Sequence, residues 1–75
     1  MRRTYVEVEC LHLENGTVVP KSLTWRDGRV WKITRVMHCC SASDHEFEGI
    51  RYTVLIGHAE KYLYQLGSRW YVESG

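Results

Sequence analysis

A chain of 75 residues makes one small domain, residues 1–75, and its 10 Lys and Arg against 9 Asp and Glu leave a net charge of +1. That balance carries no global electrostatic signature, and no apolar run approaches the roughly 18 residues that a membrane span needs. Chains this short bury only about 60% of their unfolded surface, so they lean on large side chains, metals, disulfides or a partner.

The first strand is expected from Tyr5 to Leu13, where Val6, Val8 and Cys10 alternate with Glu7 and Glu9. A period of two places the apolar set on one face. Asn15-Gly16 then predicts a type I′ hairpin turn. The second strand, Val18 to Arg26, contains Pro20, which lacks an N–H and so belongs on an edge or at a bulge. Asp27-Gly28 predicts another tight hairpin, again with φ > 0 at the glycine, and a third strand follows from Arg29 to His38. Its alternation breaks between Ile33 and Val36, which predicts a bulge near Thr34-Arg35.

The polar stretch 40–48 is expected as a loop, with Ser43 and Glu46 at the spacing of a capping box. Gly49 to Ile56 alternates again, with Ile50, Tyr52, Val54 and Ile56 on one face. Residues 59–66 fit either a helical stripe or a strand, and Tyr62 and Tyr64 favour the strand. Gly67-Ser68 turns the chain into a closing strand, Arg69 to Glu73. Short strands joined by tight turns predict an all-β fold, a small antiparallel barrel, SH3-like or OB-like, of five to six strands. No connection is long enough for a parallel crossover.

The charge is uneven along the chain. Residues 21–40 hold Lys21, Arg26, Arg29, Lys32 and Arg35 against Asp27, a net of +4, while the flanking segments are acidic. Within this segment Arg26, Arg29, Lys32 and Arg35 are the candidate phosphate contacts, with Trp25 and Trp31 as stacking faces for bases. The structural alternative is a cross-strand Trp pair anchoring the barrel, with charges that merely solvate a turn. Burial of both tryptophans would remove the stacking platform. A second candidate is a protein interface or homodimer face built from Tyr62, Tyr64, Trp70 and Tyr71.

Three cysteines, two of them adjacent, make a poor disulfide framework, and no apolar segment follows Arg2-Arg3 as in a secretory leader. A reducing cytoplasm is the expected location. His38, Cys39, Cys40 and His45 hold zinc-ligand chemistry, with Cys10 and His12 as further candidates, but lack the usual spacing. No cofactor is expected. Nothing marks a base or oxyanion site around Cys39, Cys40, His38, His45 or His58, so no enzymatic activity is expected.

Several segments carry a family resemblance: Pro20, Leu23-Thr24-Trp25-Arg26, Gly28, Trp31-Lys32-Ile33, Tyr62-Leu63-Tyr64 and Gly67-Ser68-Arg69-Trp70-Tyr71. Over most of residues 4–73 the chain resembles a family of small uncharacterised bacterial all-β domains, some attached to Y-family DNA polymerase-like repair proteins. His38-Cys39-Cys40 departs from it, standing where the family tends to have acidic and aromatic residues. The resemblance implies no catalytic or binding residue. It adds a DNA-repair protein to DNA, RNA and a second copy of the chain as expected partners, with no role for a membrane.

Overall fold

The alternation of the first strand survives in three dimensions: Val6 is buried, Val8 and Cys10 are half-buried, and Glu7 and Glu9 are exposed. The computed structural model describes residues 2–41 and 48–74, so the Ser43–Glu46 capping box and His45 lie outside the described residues. The strands are β1 Arg2–His12, β2 Val18–Thr24, β3 Val30–Lys32, β4 Arg35–Ser41, β5 Ile50–Ile56, β6 Ala59–Leu66 and β7 Arg69–Ser74. All pair antiparallel, in the order β3-β2-β1-β7-β6-β5-β4. The fold is thus an all-β, curled sheet of the small-barrel kind, and residues 59–66 are strand.

Among the described residues the count is seven, because the expected third strand is two. The chain bends at Ile33-Thr34 and passes from one edge of the sheet to the other. The Ile33 N–H donates to the Lys21 carbonyl of β2 at 2.9 Å, and the Thr34 N–H donates to the Leu55 carbonyl of β5 at 2.9 Å. The Thr34 hydroxyl reaches the same Leu55 carbonyl at 3.1 Å. The lost alternation marks this bend, while the register slip lies further on, between Val36 and His38. A second slip, between Glu9 and Cys10, falls opposite Pro20 and leaves Lys21 without a partner on β1. Pro20 thus stands beside a bulge, one of the places where a residue without an N–H is tolerated within a sheet.

The Asn15-Gly16 turn differs from the expected type I′, and the Asp27-Gly28 turn, a tight hairpin with positive φ at its glycine as expected, takes the same form. Leu13 N–H donates to Thr17 O at 2.8 Å and Gly16 N–H to Leu13 O at 3.0 Å; Trp25 and Gly28 repeat this with Arg29 O and Trp25 O at 2.8 and 2.9 Å. Each tip is therefore a three-residue loop closed by a glycine of positive φ, +87° at Gly16 and +91° at Gly28.

The concave face packs Val6, Leu23, Ile33, Tyr52, Val54, Leu63 and Trp70 into one core. Fully burying one such aliphatic side chain is worth about 1.5–3 kcal/mol. Tyr52 keeps its hydroxyl satisfied inside by donating to Gln65 Oε1 at 3.1 Å. Gly49 enters β5 at φ +83°, and a Cβ there would collide with the Gln65 carbonyl oxygen, so no side chain fits at this entry.

Candidate nucleic-acid interface

Asp27 shapes the tip of the second hairpin. Its Oδ1 accepts the Arg29 backbone N–H at 3.0 Å, and its Oδ2 meets Arg29 Nε at 2.7 Å. The Arg29 backbone N–H, then its guanidinium, hold the Asp27 carboxylate below its usual range. Arg26 and Arg29 stand exposed at the tip, and Lys32 is exposed on β3. Arg35 is exposed too, but it opens β4 opposite Leu55, across the bend and on the other edge of the sheet. Register supplies a cation absent from the expected set. Ser22 pairs with Lys32, and the neighbouring Lys21 joins Lys32, Ser22 and Glu9 along one open groove.

The two tryptophans divide their roles. Trp25 is half-buried and packs against the core, and its buried Nε1 meets no acceptor among the described residues. Trp31 is 36% exposed, meets Trp25 edge-on at 6.1 Å and 67°, and has the Arg29 guanidinium 5.9 Å from its ring centroid. One ring is thus an anchor, and the other faces solvent beside a cation.

The expected Tyr/Trp interface loses most of its members to the fold. Tyr62 is 50% exposed, but Tyr64, Trp70 and Tyr71 are buried. Trp70 turns into the concave core, 5.3 Å from Tyr52. On the convex face β-pairing aligns Tyr5, Tyr71, Tyr64, Arg51 and Cys40 in one cross-strand row. Tyr64 and Tyr71 stack there at 4.9 Å and 4°. Arg3 covers Tyr71 at 4.5 Å while pairing with Glu48 at 2.8 Å, and the Tyr71 hydroxyl donates to the Glu48 carbonyl at 3.2 Å. Outward-pointing tyrosines are thus sealed by their neighbours in a second small core.

The cysteines are free thiols. Cys39 lies opposite Tyr52 and Cys40 opposite Arg51, so adjacent thiols take opposite faces. Burial pushes the Cys10 thiol up, away from thiolate chemistry. Among the described residues no group of three or more His, Cys, Asp or Glu side chains could hold a metal. Comparison with protein-family models, curated proteins and solved structures finds no match.

Proposed function

We propose that this domain binds single-stranded nucleic acid through the basic β2–β3 hairpin. The observation that carries this reading is Trp31: an aromatic face 36% exposed with the Arg29 guanidinium 5.9 Å from its centroid, on a hairpin that also exposes Arg26 and Lys32. Backbone cations with an open aromatic ring are the two ingredients of sequence-tolerant strand binding. Arg26, Arg29 and Lys32 contact phosphate, with Lys21 extending the track, and Trp31 stacks a base. Arg35 continues the path past the bend. No catalytic step is assigned.

The test is fluorescence anisotropy of a labelled single-stranded oligonucleotide across a salt series. Affinity should fall steeply as salt rises, because phosphate neutralisation releases counterions. Salt-independent affinity, or equal binding by an Arg26→Glu/Arg29→Glu variant, removes the reading. A second reading, self-association through the convex face, keeps the exposed Tyr62. It predicts a concentration-dependent mass in analytical ultracentrifugation that a Tyr62→Ser variant abolishes.

A further inference from the structure

Strand β1 changes partner halfway. Arg2 to Val6 pair with β7, and Glu7 to His12 pair with β2. The two flanking strands diverge at Val6-Glu7, and the chain opens there. Two grooves of about 440 and 350 Å³ share the floor Tyr5, Val6 and Glu7. Trp25 and Arg26 of the hairpin tip line the first, and Ser68 and Arg69 of the β6–β7 turn line the second. The two grooves lie on either side of β1 and meet over these three residues as one notched cleft, whose first half reaches the basic hairpin.

We infer that this cleft takes a single base of the bound strand, stacked on the Arg69 guanidinium. Resting on the nucleic-acid reading above, this extends that site to a second element. Arg69 lies 3.9 Å from the centroid of the Tyr5 ring, and Tyr5 is itself held edge-on by Tyr71 at 5.8 Å and 62°. The guanidinium thus sits over a ring that is itself held in place. Guanidinium planes and aromatic rings are the surfaces on which unpaired bases stack. Charge fits the same occupant. Arg26 and Arg69 stand exposed on opposite walls, and neither is ion-paired to another described residue. The floor carries Glu7, whose carboxylate repels phosphate. The backbone of the strand therefore keeps to the rims, and an uncharged base enters between them.

The experiment is anisotropy titration of a short fluorescein-labelled oligothymidylate with the parent chain and with Arg69→Gln, Tyr5→Leu and both together. Arg69→Gln should weaken binding roughly tenfold, the scale of one lost stacking contact. Tyr5→Leu should weaken it at an unchanged salt slope, since no cation is removed. The double variant should bind like Arg69→Gln alone, because ring and guanidinium act as one platform. Parent-like affinity in Arg69→Gln, with binding lost in Arg26→Glu/Arg29→Glu, overturns the cleft and leaves the hairpin standing. A parent that binds no oligonucleotide overturns both. Should Tyr5→Leu fail to fold, the exposed Arg69→Gln decides.

Discussion

The two hairpin tips of this chain share one frame and carry different tools. Leu11-His12-Leu13-Glu14-Asn15-Gly16-Thr17-Val18-Val19 lines up with Leu23-Thr24-Trp25-Arg26-Asp27-Gly28-Arg29-Val30-Trp31. Both close a three-residue loop with the same pair of backbone bonds, and both use an Asx oxygen to accept the N–H two residues on, at 2.9 and 3.0 Å. The differences lie in what the frame displays. Leu13 becomes Trp25, Val19 becomes Trp31, and Glu14 and Thr17 become Arg26 and Arg29. Backbone geometry comes from the Asx-Gly pair in both, so the cations and rings of the second tip are not needed to make a turn.

The comparison can be broken most forcefully by charge. Arg26→Glu/Arg29→Glu is expected to weaken single-strand binding about a hundredfold at low salt, since attractive phosphate contacts become repulsive. Asn15→Ala at the first tip should leave affinity unchanged in the same anisotropy assay. A smaller effect comes from the ring: Trp31→Ala should cost roughly tenfold in affinity, and Val19→Ala none.

Stability should treat the two tips alike. Gly16 and Gly28 have positive φ with nothing within 4 Å of an added Cβ, so only backbone strain opposes a side chain. Gly16→Ala and Gly28→Ala should each cost about 1 kcal/mol in urea denaturation, and unequal costs would break the shared frame. The smallest effect separates them again. Asp27 has a lowered pKa in the fold, so its contribution is present above the unfolded carboxylate pKa and is lost as pH falls through the folded value. Thermal melts between about pH 5 and pH 2 should therefore show a small destabilisation that Asp27→Asn removes. Asn15 does not titrate and gives the first tip no such slope.

Much of this fold is legible in sequence because a half-buried sheet writes its faces with period two. Val6, Tyr52 and Val54 could be assigned to the core on that basis, and all are buried, whereas Trp70, placed with the interface candidates, is buried as well. The three-residue tips could not, because Asn-Gly and Asp-Gly serve two-residue and bulged loops alike. Nor could the fate of the convex face. Alternation sends Tyr64 and Tyr71 outward, and only the register that stacks them reveals that outward is not exposed. Arg26 and Arg29 were visible as neighbours in sequence. Arg69 and Tyr5 were not, since their cleft exists only where β1 exchanges one partner for another.

The bend at Ile33-Thr34 has a consequence for the molecule in a crowded solution. An open sheet offers two rows of unpaired backbone groups to any other strand, and long flat edges invite fibrous pairing. Here both edge strands, β3 and β4, flank a single pair of residues, and β3 is only three residues long. The Ile33 and Thr34 amides are spent on Lys21 and Leu55. One corner thus ties both margins of the sheet together through two adjacent hydrogen bonds, where the exposed Lys32 and Arg35 add charge to the edges.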